Sequence, residues 1–87
     1  MAVRYDLETD VNVGNETFNV KADIEYSVET GLDYDERPLR YIDVIRAFHV
    51  RATSDEGHLV TDPELSFKIK HLTEKISEEI LTDELNG

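Results

Sequence analysis

Apolar and polar residues alternate from residue 18 to residue 29. Phe18, Val20, Ala22, Ile24, Tyr26 and Val28 hold one parity, and Asn19, Lys21, Asp23, Glu25, Ser27 and Glu29 hold the other. Successive side chains of a strand point to opposite faces, so the segment predicts a strand with one dry and one wet face. Upstream, Val3, Tyr5, Leu7, Val11 and Val13 occupy odd positions, with Thr9 in the gap, and Arg4, Asp6, Glu8, Asp10 and Asn12 lie between them. The two runs meet at Gly14-Asn15, where Gly in the first central position suits a type II′ hairpin turn. A two-residue turn there places Val13 opposite Glu16, Val11 opposite Phe18, Leu7 opposite Ala22, Tyr5 opposite Ile24 and Val3 opposite Tyr26. A four-residue loop over 14–17 keeps the same faces. A three-residue loop would turn one strand over and bury its carboxylates at a cost of several kcal/mol.

Beyond Val28 the alternation stops. Gly31, Pro38 and the acids between them predict an exposed loop over 30–40. Residues 41–52, YIDVIRAFHVRA, are rich in β-branched and aromatic side chains and predict a third strand. Its parity is mixed, because Ile42, Val44, Phe48, Val50 and Ala52 are even while Tyr41, Ile45 and Ala47 are odd. A bulge near Ile45 or cover on both faces accounts for this; a helix with Tyr41, Ile45, Phe48 and Ala52 on one side is the alternative. A turn over 54–57 follows, and residues 58–61 suit a short fourth strand. Asp62-Pro63-Glu64 then reads as a helix start, with a capping carboxylate, a proline in the first turn and an acid at the positive end. Leu65, Ile69, Leu72, Ile76 and Ile80 draw an apolar stripe at helical spacing through a helix over 63–84.

A dry sheet face and a striped helix each lack cover alone. The expected fold is therefore α+β, one domain over 1–87. An antiparallel sheet of three to four strands is led by the hairpin over 3–28 and continued by 41–61, with the C-terminal helix packed on one face.

Charge narrows the partners. The chain carries 20 acids against nine Lys and Arg, a net charge of -11, in 87 residues. Residues 1–36 hold -8 of this, residues 37–62 are neutral and residues 63–87 hold -3. Phosphate recognition needs a basic surface, and no basic run exists, so direct nucleic-acid binding is not expected and a basic partner is. No apolar run approaches membrane-spanning length, no signal-peptide progression opens the chain and no cysteine is present. Membrane association is not expected, and the cytoplasm is the expected compartment.

Candidate chemistry is sparse. His49, His58 and His71 fall on a strand, a turn and a helix, and no cysteine nucleophile, phosphate loop or metal-ligand spacing occurs. Asp33 and Asp35 have the spacing that opens an EF-hand loop, but Arg37 stands at the next ligand position. No catalytic, cofactor or metal residue is assigned. The candidate surface is instead the wet side of the hairpin, Asp6, Glu8, Asp10, Asp23, Glu25 and Glu29, with Asp33, Tyr34, Asp35 and Glu36 of the adjoining loop. Successive acids on one strand lie about 6.6 Å apart, a spacing that could imitate a phosphate backbone or simply oppose self-association. Cross-strand pairs Glu8 to Lys21 and Arg4 to Glu25 are expected to interrupt the ladder.

The order VNVGNETFNVKADIEYSV, an acidic Pro-containing loop, YIDVIRAFHV and TDPELSFKIKHLTEKISEEIL resembles small acidic proteins encoded by bacteriophages. The resemblance covers most of the chain and carries over no functional residue. It implies a cytoplasmic accessory protein acting on a host or viral protein rather than an enzyme. The expected function is a small acidic, non-enzymatic protein-binding or regulatory module. The alternatives are a DNA-mimic inhibitor of a DNA-binding protein and a structural subunit of a homo-oligomer, assembled through a strand edge or an apolar helix patch around Phe67 and Leu81.

Overall fold

A computed structural model describes residues 1–32 and 38–87. Three strands, β1 (Ala2–Val13), β2 (Glu16–Leu32) and β3 (Pro38–Ser54), precede one helix, α1 (Pro63–Asn86). The strands form an antiparallel sheet in the order β1-β2-β3, and α1 packs on one face, chiefly over β3. This is the expected α+β architecture at its three-strand limit. Residues 41–52 are strand rather than helix, and the segment after the 54–57 turn makes only the isolated bridge Thr53 to Leu59. β2 continues to Leu32 and β3 starts at Pro38, so two paired strands replace most of the loop expected over 30–40. Asp33, Tyr34, Asp35 and Glu36 lie outside the described residues.

Hairpin β1-β2 turns at Gly14-Asn15, with φ of 61° at Gly14 and no positive φ at Asn15, the pattern of a type II′ turn. Val13 pairs with Glu16, Val11 with Phe18 and Leu7 with Ala22, as the alternation requires. Two expected pairs fail. Arg4, not Tyr5, lies opposite Ile24, and Ala2, not Val3, lies opposite Tyr26, because a bulge between Arg4 and Leu7 inserts an extra residue. One inserted residue exchanges the faces of everything beyond it. Val3 and Tyr5 therefore leave the covered face, and Arg4 joins it, where its guanidinium meets Glu84 of α1 at 2.9 Å. The expected Arg4 to Glu25 pair is excluded by the same shift.

β3 carries two bulges. One lies between the Tyr26–Val44 and Glu25–Arg46 pairs, at Ile45, where the mixed parity predicted it. The other lies between Asp23–Phe48 and Lys21–Arg51, at His49. Together they keep Ile42, Val44, Ala47, Val50 and Ala52 against the core.

The core has two clusters. Leu7, Ala22, Ile24, Ile42, Ala47 and Leu81 form one, and Val11, Phe18, Val20, Ala52 and Ile69 form the other. The helix stripe differs from expectation. Its fully covered line is Ile69, Thr73, Ser77 and Leu81, while Leu65, Leu72, Ile76 and Ile80 are half-buried at its flank. Small side chains at Thr73 and Ser77 suit a close approach to a sheet surface studded with Ala22, Ala47 and Ala52. Their hydroxyls cost nothing unsatisfied, since Thr73 Oγ1 donates to Ile69 O at 2.7 Å and Ser77 Oγ to Thr73 O at 2.6 Å. Asp62 caps the helix as expected, accepting from the Glu64 N–H at 3.1 Å, with Pro63 in the first turn.

Candidate functional site

Because α1 occupies one face, the other face of the sheet is uncovered among the described residues. It receives the polar parity of the hairpin. Glu8 lies opposite Lys21, and Asp10 opposite Asn19. The Asn19 amide donates to Glu8 Oε1 at 3.0 Å and to Asp10 Oδ1 at 3.4 Å, holding two carboxylates on one strand around one donor. Farther along, Glu25 lies 3.6 Å from the Arg46 guanidinium, and Glu29 accepts from the Ser27 hydroxyl at 2.9 Å. Arg46 also rests over the Phe48 ring at 4.9 Å, so β3 interleaves cations and an aromatic with the acids of β2.

Asp23 stands apart from this ladder. It sits on the central strand where bulges of both flanking strands meet it, opposite Asp6 on one side and beside His49 on the other. Asp6 and His49 adopt φ of 53° and 51°, the left-handed region that costs an L-residue about 1–2 kcal/mol and that Asp and His enter more readily than most. One carboxylate answers both. Asp23 Oδ1 accepts the Asp6 N–H at 3.0 Å, and Oδ2 lies 2.9 Å from His49 Nδ1, which donates because an ionised carboxylate only accepts. The Asp6 N–H first, and the His49 ring second, hold the Asp23 carboxyl below its ordinary value, and partial burial opposes them without prevailing. The Asp23 side chain is only 14% exposed.

Lys21 and Arg51 lie directly opposite one another next to this crossing. With Asp6, Asp23 and His49 they border a concavity of about 300 Å³. The expected ladder is thus two unlike parts: an acidic, partly self-paired strip, and a mixed-charge hollow around Asp23. Asp6 contributes its backbone N–H to that crossing.

The bulges add residues that alternation alone assigns elsewhere. Val3 (37% exposed), Tyr5 (66%), Tyr41 (44%) and Ile45 (46%) all belong to the open face, beside Glu25 and Glu29. A parity change in β3 signals Ile45, but nothing in the regular alternation of β1 signals Val3 or Tyr5. The histidines do not converge: His49 meets Asp23, His71 packs on Phe67 at 4.4 Å and lies 3.6 Å from Glu74, and His58 follows the 54–57 turn, its backbone N–H donating to Ser54 Oγ at 3.2 Å. Among the described residues no group of three His, Cys, Asp or Glu could hold a metal ion. No helix of the described residues is long and apolar enough to cross a membrane. Comparison with protein-family models, curated proteins and solved structures returned no match.

Proposed function

We propose that the chain is a non-enzymatic protein-binding module whose open sheet face docks onto a basic surface of a partner protein. One observation carries this reading: the β1 bulge places Val3 and Tyr5 on the same face as Glu8, Asp10, Glu25 and Glu29, opposite the Tyr41 and Ile45 side of β3. A face built only for solubility has no use for two exposed tyrosines. Aromatic anchors ringed by charge are the usual composition of a protein interface, with the aromatics supplying affinity and the carboxylates supplying steering and register. The DNA-mimic alternative gains nothing from the same face, since Lys21, Arg46 and Arg51 break the run of negative charge. The resemblance to phage-encoded acidic proteins makes a host or viral protein in the cytoplasm the partner this reading favours.

The test is capture of partners from the source cell on three immobilised forms: the natural chain, a Tyr5→Ala/Tyr41→Ala pair, and a Glu8→Lys/Asp10→Lys/Glu29→Lys triple. The reading expects a protein with a basic surface that elutes early in salt, is lost from the triple variant, and is held weakly by the tyrosine variant at every salt concentration. A captured partner held equally by all three forms would place the interface elsewhere. Elution by duplex DNA, in competition for a DNA-binding protein, would favour mimicry.

A further inference from the structure

The two edges of the sheet are finished differently. Along β3 the chain covers its own outer edge: Val60 N–H donates to Ala52 O and Ser54 N–H to His58 O, each at 2.9 Å, and Glu74 of α1 accepts the Ala47 N–H at 2.8 Å. Along β1 nothing comparable is present among the described residues. The two-residue turn makes Val13–Glu16 a hydrogen-bonded pair, and such pairs alternate along an antiparallel ladder. Val11, Thr9 and Leu7 therefore turn their backbone groups toward β2, and Asn12, Asp10 and Glu8 turn theirs outward. The β3 edge gives the same phase, since outward-facing Ala52 pairs with Val20, and Val20 with Thr9. Of these outward N–H and C=O groups, only Asp10 O has a hydrogen bond from the protein among the described residues, a long one of 3.5 Å from the Thr9 hydroxyl.

An open edge is a template for another strand, and lysine, proline or a covering loop usually closes it. From Tyr5 to Val13 there is no lysine, arginine or proline, and the bulge before Leu7 limits the open run to residues 7–13 without closing it. The outward backbone groups belong to residues whose exposed side chains lie on the open face, two of them carboxylates, Glu8 and Asp10. On the helix side, Leu72 and Ile76 pack with the Val11 cluster and remain half-buried. Each lies two residues from Glu74, about 200° around the helix, so they face β1 where Glu74 faces β3. A strand laid along β1 thus meets carboxylates on one side and an apolar shelf on the other. Charge chooses the occupant. A second copy of β1 would bring Glu8 and Asp10 against their own counterparts, and like charges directly opposed destabilise a sheet. A segment that alternates basic and apolar residues satisfies both sides.

We propose that the β1 edge takes up an extended segment of the partner protein as a fourth, antiparallel strand, its basic residues opposite Glu8, Asp10 and Asn12 and its apolar residues beside Leu72 and Ile76. This deepens the reading of the open face as a protein-docking surface and rests on it for the partner's class, but the edge can fail while the face stands. The probe is acetyl-Lys-Val-Lys-Val-Lys-Val-Lys-amide, titrated into uniformly ¹⁵N-labelled full chain and followed by amide shifts and hydrogen exchange. The expected result is saturable shifts, exchange slowed at least tenfold at the Glu8, Asp10 and Asn12 amides at saturation, and binding at least tenfold tighter than that of the glutamate counterpart. Antiparallel pairing directs the lysine amides at β1 and the valine amides away from it. N-methylation of the lysines is therefore expected to abolish the protection, and N-methylation of the valines to leave it. Glu8→Lys/Asp10→Lys, at exposed positions that leave the core intact, is expected to transfer the preference to the glutamate peptide. Equal binding of the two methylated forms, the reverse order between them, or no saturable shift at all overturns the proposal. Shifts centred on Tyr5, Tyr41 and Ile45 without protection at the edge overturn it too, and leave the docking face in place. So does exchange at these amides that slows with protein concentration alone, which would make a second copy the occupant.

Discussion

β1 and β3 flank the same central strand, and each carries a bulge beside Asp23, yet the two distortions have opposite consequences for the core. In β3 the extra residues at Ile45 and His49 correct an irregular sequence, keeping Ile42, Val44, Ala47, Val50 and Ala52 on the covered face. In β1 the extra residue spoils a regular one, sending Val3 and Tyr5 outward and Arg4 inward. Hydrophobic burial explains the first and opposes the second. What offsets the loss in β1 is polar: the Asp6 N–H to Asp23, and Arg4 to Glu84. A strand can thus give up apolar burial at its end, where α1 lies chiefly over the opposite edge of the sheet, to satisfy a carboxylate and expose a tyrosine.

Substitutions can separate the two faces. The largest effect is expected at Ile24, fully buried on the central strand: Ile24→Ala should cost about 2–5 kcal/mol in urea unfolding, through lost transfer energy and the cavity left behind. Next is the helix seam. Ser77→Leu should cost about 1–3 kcal/mol by overpacking a fully buried position of α1, and a neutral result would mean that the seam is loose. Asp23→Asn should change the shape of the pH profile. The folded carboxyl titrates below its unfolded value, so its contribution is complete above the ordinary carboxylate pKa, about 3.9, and is lost as pH falls through the lowered value. Unfolding curves of the natural chain should therefore lose stability toward acid faster than those of the variant, and parallel curves would count against the crossing. The smallest effect is expected at Tyr5, where Tyr5→Ala should stay within about 0.5 kcal/mol because the ring is exposed. A core tyrosine at that position, as plain alternation would have it, should cost several times more.

Much of this arrangement can be read in the chain. The turn at Gly14-Asn15 and the cap at Asp62-Pro63 are local chemistry, legible from a few residues, and the opposed parities of the hairpin fix most of its register. The apolar parity of β3 runs even, then odd at Ala47, then even again at Val50 and Ala52; each change marks a bulge, although only the one at Ile45 is apparent without the partner strand. Thr73 and Ser77 escape a reading based on apolar periodicity because they are polar, and their role depends on size. Tyr5 and Arg4 escape it for a deeper reason. Their placement depends on Asp23 and Glu84, distant in sequence, and on the helix sitting over β3 rather than β1. The acids of the candidate face are visible in the hairpin, but their β3 partners, Arg46 and His49, become visible only when the register between β2 and β3 is known.

Cross-strand Hα and amide contacts in the labelled full chain test the β1 bulge most directly, since opposed residues of an antiparallel pair lie about 4.5–5.5 Å apart at Cα. Contacts joining Arg4 to Ile24 and Ala2 to Tyr26, with Leu7 still opposite Ala22, are the predicted result. Contacts joining Tyr5 to Ile24 and Val3 to Tyr26 would restore unbroken alternation, return the tyrosine to the helix side, and contradict the account.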